Sequence, residues 1–419
     1  MTSRKDTVRS RSRSSLIFAA VVTVALSGCS PAPSSTPSTV GSSDAHGEIA
    51  GAEEVSEPQL GLTTIDPAGA IRHLDLLDES VRELGAVGAP ERVGTDGRYL
   101  FADTGDGVAI VDSGVWTWDH VDHFHYYRAE PRDLGIVTGD GPATIATTNS
   151  STTGGAGVFF AGSGEAVLLD TEALSKGERV ELFRIDTEPH AGMVVPIGSS
   201  ALVTQADAGI ASSLVAYDAT GNRIDDVAID CAEAQGTITT RVGAVIGCRD
   251  GAVLATHDGD DLVLEKVPYP VEVAAPPATA FANREGRPAV AGLAGDAGIW
   301  MLDTRQKQWT LLPAPTPLLQ VTAVDDTDQN VLALAADGRV LVLDGTTGAE
   351  RAATPPLLAG SLADAAALAG VTLIADQQRA YLNAPLEQKL YEIDFADAAR
   401  VARTFETDTV PAYLAETGR

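Results

Sequence analysis

Asp106-Gly107-Val108-Ala109-Ile110-Val111-Asp112 is the recurring unit of this chain. Four consecutive apolar residues are too few for a helix, and a run of this kind reads as a short strand buried on both faces. A glycine turn precedes it and an aspartate closes it, which is turn chemistry on either side of a strand. The unit returns as Gly164-Glu165-Ala166-Val167-Leu168-Leu169-Asp170, at Leu214 to Asp218, at Gly298 to Asp303, and as Asp337-Gly338-Arg339-Val340-Leu341-Val342-Leu343-Asp344. Their closing aspartates lie 58, 48, 85 and 41 residues apart, intervals of about one or two propeller blades at roughly 40 to 50 residues each. Between them run further short apolar segments such as Tyr99-Leu100-Phe101-Ala102 and Val331-Leu332-Ala333-Leu334, and helical periodicity is rare. The chain is therefore expected to be all-β, a β-propeller of seven or eight blades in preference to two stacked β-sandwiches.

Seven such units span residues 93 to 408. Three more strands fall at Leu62-Thr63-Thr64-Ile65, Ala70 to Leu74 and Val81 to Leu84. A C-terminal strand near Val410 to Leu414 would complete them as an eighth blade, joining the two ends of the chain and removing an exposed sheet edge. Eight blades are favoured on this ground.

The residues before 60 have a different character. Arg4, Lys5, Arg9, Arg11 and Arg13 precede an apolar run from Leu16 to Leu26, which is short for a membrane span of about 20 residues. The run ends in Leu26-Ser27-Gly28-Cys29, which resembles a bacterial lipobox. This implies a signal peptide over 1–28, lipidation of Cys29, and a protein held on the outer face of the cell membrane. The alternative is a plain secretory signal with an incidental cysteine. Ser30 to Ser43 is Ser, Pro, Thr, Ala and Gly almost throughout, and 48–58 is polar and acidic, so 29–59 is expected to be a flexible tether and 60–419 the propeller.

Net charge is −29 over 419 residues, and removal of the basic leader makes the remainder more negative still. Such a surface disfavours nucleic acid and anionic lipid as partners and suits metal cations or basic protein patches. Apart from Cys29, the cysteines are Cys231 and Cys248. An even pair in an exported chain reads as a disulfide, the alternative being a two-thiolate metal site.

The chemistry concentrates in Trp116-Thr117-Trp118-Asp119-His120-Val121-Asp122-His123-Phe124-His125-Tyr126-Tyr127. Three of the chain's seven histidines fall here, interleaved with two aspartates. Imidazole and carboxylate are ligands that zinc takes. His123 and His125 share a face if the segment is extended, while His120 has the opposite parity and needs a bend to join them. His190, in Glu188-Pro189-His190-Ala191-Gly192 just before a strand, could meet that loop at the propeller axis; His257 sits at a turn, and His46 and His73 read as surface residues. No phosphate-binding loop or nucleophile elbow is present in its proper context.

These parts together resemble the AztD-type zinc metallochaperones, which are extracytoplasmic β-propellers. The resemblance rests on Asp119-His120-Val121-Asp122-His123, on Pro189-His190-Ala191-Gly192 and on Cys231 with Cys248, and covers most of the chain after residue 60. It implies a monomeric, non-enzymatic protein that binds zinc through His120, Asp122, His123, His125 and His190 and passes it to the solute-binding protein of a zinc ABC transporter. Two positions depart from the family pattern. Ala191 stands where a second histidine follows Pro-His, and Cys231-Ala232-Glu233-Ala234-Gln235-Gly236 lacks a histidine expected after the cysteine. The other readings of the same residues are a metal-free scaffold that docks an envelope protein, and a propeller hydrolase or lyase using a bound metal with Asp119 as general base.

Overall fold

The computed structural model describes residues 49, 51–119, 123–259 and 261–419. Among them, eight antiparallel sheets follow one another along the chain as blades. Blade 1 is built from both ends of the chain: Tyr413–Thr417 pairs with Gly61–Ile65, which leads on to Ala70–Asp75 and Val81–Ala86. The expected C-terminal strand is thus present, a few residues further on than the sequence indicated. Blade 2 consists of Arg92–Thr95, Tyr99–Asp103, Gly107–Asp112 and Arg132–Thr138. Blades 3 to 5 repeat the four-stranded meander over residues 143–186, 194–230 and 237–268, and blades 7 and 8 over 318–353 and 373–406.

Blade 6 has three strands, Ala289–Leu293, Ile299–Asp303 and Gln308–Leu312. Its innermost position is taken by a single bridge, in which Ala282 and Ala291 exchange both backbone hydrogen bonds. The proline-rich run before it, with Pro268, Pro270, Pro276 and Pro277, lacks the N–H groups a longer ladder needs.

The uninterrupted apolar runs follow from packing on both faces. Side chains alternate along a strand, so neighbouring residues serve opposite neighbours. In blade 2, Leu100, Ala102, Ala109 and Val111 pack on blade 1 with Ile65 and Ile71. Tyr99, Phe101, Val108 and Ile110 pack on blade 3 with Val158 and Phe160. Similar clusters link each later pair of blades. The last cluster joins Tyr381, Leu390 and Phe405 of blade 8 to Leu62, Leu74 and Leu414 of blade 1, which completes the ring.

The recurrent strand-ending aspartates fix the turns. Asp112, Asp170, Asp218, Asp303 and Asp344 each accept, through Oδ1, a hydrogen bond from the backbone N–H two residues on. This Asx geometry replaces a backbone turn bond and stops the strand at the same place in these five blades.

Cys231 follows the last strand of blade 4 and is bonded to Cys248 in blade 5. The disulfide therefore ties two adjacent blades, and closing a loop of 17 residues stabilises by about 3 kcal/mol in the chain-entropy account. His73 is not the surface residue its polar neighbours suggest. It is 1 % exposed, and its Nδ1 lies 3.0 Å from Thr63 Oγ1, inside blade 1. Among the described residues no helix is long and apolar enough to cross a membrane.

Candidate metal centre

Between the third and fourth strands of blade 2 the chain leaves the blade and forms a separate hairpin, Val115–Asp119 against Phe124–Ala129. A third strand, Ala52–Val55, pairs with the outer side of Phe124–Ala129. Within the polar stretch expected to be tether up to residue 59, Ala52–Val55 is therefore a strand of a sheet.

The base of the hairpin is pinned. Gly114 has φ +77°, and a Cβ there would lie 2.4 Å from the carbonyl oxygen of Ala129, so the tight exit from the blade requires glycine. Trp116 is 1 % exposed, stacks on Tyr127 at 5.0 Å, and carries the Arg98 guanidinium 3.6 Å from its ring centroid. Arg98 in turn gives two hydrogen bonds to Asp112, at 3.0 and 2.9 Å, and Arg132 adds a third at 2.6 Å. Burial opposes ionisation of Asp112, yet Arg98, helped by Arg132, holds its carboxyl below the ordinary carboxylate range. Thr117 Oγ1 donates to Gly418 O at 2.8 Å, tying the hairpin to the strand that closes the ring.

The two faces of the hairpin differ. Strand register places Trp116, Trp118, His125 and Tyr127 on one face, with Glu54 opposite Tyr127 on the neighbouring strand. Here His125 is almost fully buried, with the Trp118 and Tyr127 rings each 6.1 Å away. His123, just before the strand and exposed, brings its Nε2 to 2.9 Å from His125 Nε2. Nδ1 of His125 is 2.7 Å from Glu54 Oε1.

The proton positions follow. A carboxylate only accepts, so His125 Nδ1–H donates to Glu54, and in the neutral form of the ring it is Nε2 that carries the lone pair. That lone pair faces His123 Nε2. Two imidazole nitrogens bound to one tetrahedral zinc at 2.0–2.1 Å would stand roughly 3.3 Å apart. The observed separation is close to this, so an ion could replace the shared proton with a small outward shift of the exposed His123.

The other face looks into the propeller. Thr117, Asp119, Phe124 and Tyr126, with the edge of Trp118, line an open cavity of about 600 Å³, and the Asp119 carboxylate is 3.6 Å from Arg241 of blade 5. Glu285 and Arg419 belong both to this cavity and to a central one of about 380 Å³, walled by the innermost strands with Thr95, Thr147, Thr239 and Glu416. Burial pushes the carboxyls of Glu285 and Glu416 up to about 7 and that of Asp96 up to about 6, against the pull of Arg419 and of nearby backbone N–H groups.

The sequence candidates are distributed as follows. His123 and His125 are brought together. His120 and Asp122 lie outside the described residues, as do Cys29 and His46. His190 is buried elsewhere: its Nδ1 donates to Glu188 O at 2.6 Å, and its Nε2 is 2.8 Å from Thr204 Oγ1. With both nitrogens committed and Phe159 packed at 4.7 Å, that ring has none to offer the hairpin in this arrangement. His257 is exposed at the end of a blade 5 strand. Among the described residues, no group of three or more His, Cys, Asp or Glu side chains stands in metal-holding geometry. Glu54, which the sequence pattern left in the acidic tether, is the added member of the cluster. Only its place opposite Tyr127 reveals it.

No known protein family matches the sequence, and no curated protein matches it either. Solved structures do. Citrobacter koseri AztD superposes with a TM-score of 0.73 over 87% of this chain and 99% of its own, at 19% sequence identity. Its apo form gives the same TM-score and coverage at 20% identity. The dihydro-heme d1 dehydrogenase NirN gives a TM-score of 0.52 at 15% identity, covering 87% of this chain and 76% of NirN. At these identities the likeness establishes fold, and the chain shares the β-propeller fold of AztD.

Proposed function

We propose that the protein is an extracytoplasmic zinc-binding metallochaperone. One observation carries the reading: two histidines of a hairpin outside the blades turn their Nε2 atoms to one point, and a carboxylate holds one of the rings from behind. This is half of a tetrahedral zinc site with its supporting shell. His120 and Asp122, which lie between the two strands in sequence, are the residues that would complete it, and the fold is that of AztD. Zinc is cargo in this account, and the protein performs no catalysis on it.

Delivery requires that a partner's ligands enter before these leave. The hairpin suits this, since His123 is exposed while His125 is seated among aromatic rings. The acceptor in this reading is the solute-binding protein of a zinc ABC transporter. Lipidation of Cys29 would keep the donor near that transporter and raise its effective concentration there. The test is transfer. Zinc-loaded protein is mixed with the metal-free acceptor, the two are separated by size, and metal is measured in each. Zinc should move to the acceptor faster than it appears in solution; exchange no faster than release into buffer containing a chelator would overturn the chaperone reading.

A further inference from the structure

We propose that Glu54 is a positioning residue of the hairpin's metal site, setting the tautomer of His125 from a separate edge strand. The inference rests on the zinc reading above and extends it to a residue outside the histidine hairpin. Glu54 and His125 are 71 residues apart and meet at 2.7 Å because Ala52–Val55 adds to the free edge of Phe124–Ala129. Register puts Glu54 opposite Tyr127, so its carboxylate reaches His125 along the diagonal of the sheet, within range of a long side chain. The neighbouring Glu53 pairs with Arg128 at 2.9 Å and fixes the strand in that register.

The chemical consequence is specific. A neutral imidazole has two tautomers, and only one presents a lone pair at Nε2. Glu54 accepts from Nδ1–H and so selects the tautomer whose Nε2 lone pair points at His123. It also raises the basicity of that nitrogen as a ligand. The side chains of His125 and Glu54 are 9 % and 48 % exposed, so the ligand is seated in the hairpin while its orienting carboxylate belongs to a four-residue outer strand. Zinc affinity then depends on whether that strand is in place.

The test uses the full chain, Glu54→Ala and Glu54→Gln, with His125→Ala as reference. In metal-free protein labelled with ¹⁵N-histidine, the signal lost in His125→Ala identifies the ring. Wild type should show the Nδ1–H tautomer, and Glu54→Ala a mixture or the reverse. Glu54→Gln, whose amide oxygen still accepts, should retain the wild-type tautomer. In competition with a chromophoric zinc chelator, Glu54→Ala should weaken zinc binding about 10- to 100-fold, with most of the loss restored in Glu54→Gln. If His125→Ala weakens zinc binding while Glu54→Ala changes neither tautomer nor affinity, the role of Glu54 is overturned and the hairpin site stands. If His125→Ala leaves zinc affinity unchanged, the site itself is overturned.

Discussion

His73 gives the sharpest quantitative prediction. Its ring is buried in blade 1 between Thr63 and Thr417, and burial, with Arg82 nearby, pushes its pKa down from 6.5 to about 4. The folded state thus resists a proton that the unfolded chain accepts. Stability from this group is fully present above about pH 6.5 and is lost as pH falls toward about 4, at up to about 1.4 kcal/mol per pH unit. The total is about 3 kcal/mol, of which about 2 kcal/mol is lost between pH 7 and pH 5. Asp96, Glu285 and Glu416 act in the opposite sense, since raised carboxyl pKa values favour the folded state as pH falls. The whole-protein pH profile therefore mixes the two, and the comparison must be with a variant. His73→Asn keeps polar atoms near the threonines but does not titrate. Urea unfolding at pH 7 should show the variant less stable by its packing loss. At pH 5 the gap between the proteins should narrow by about 2 kcal/mol. An equal gap at both pH values would refute the assignment of His73 as a buried, neutral core histidine.

Other consequences follow from the same contacts. Asp112→Ala leaves the buried Arg98 without its counter-charge and should cost about 3–5 kcal/mol, with faster hydrogen exchange across the 115–129 hairpin than in distant blades. Leu414→Ala, in the apolar cluster that joins blades 8 and 1, should cost about 2–5 kcal/mol in urea unfolding, whereas a loss under 1 kcal/mol would argue that ring closure contributes little. Replacing Cys231 and Cys248 together by serine should lower stability by about 3 kcal/mol without altering zinc binding, because the disulfide lies in blades 4 and 5 and not on the hairpin.

What the sequence revealed and what it hid divide along physical lines. Runs such as Val108-Ala109-Ile110-Val111 betray the blades because both faces of each strand are buried, and the pairing of Gly61–Ile65 with Tyr413–Thr417 was foreshadowed by orphan strands at either end of the chain. The meeting of His123 and His125 was readable from strand parity. Glu54 was not, because its role depends on a pairing across 71 residues, and local composition made its strand look like linker. His73 sits beside Arg72 in a strand whose outward and inward faces the sequence alone did not separate. His190 precedes a strand as expected, but Thr204 and the Glu188 carbonyl satisfy its ring locally, which spacing could not foretell.

Zinc held by the hairpin through His123 and His125 is what everything functional here depends on. The direct measurement is zinc stoichiometry and affinity of the wild-type protein and of the double variant His123→Ala with His125→Ala, by elemental analysis and chelator competition at neutral pH. Wild type should bind zinc tightly and stoichiometrically, and the variant should lose that site with blade stability preserved. Zinc held by the double variant as tightly as by the wild type would contradict this assignment.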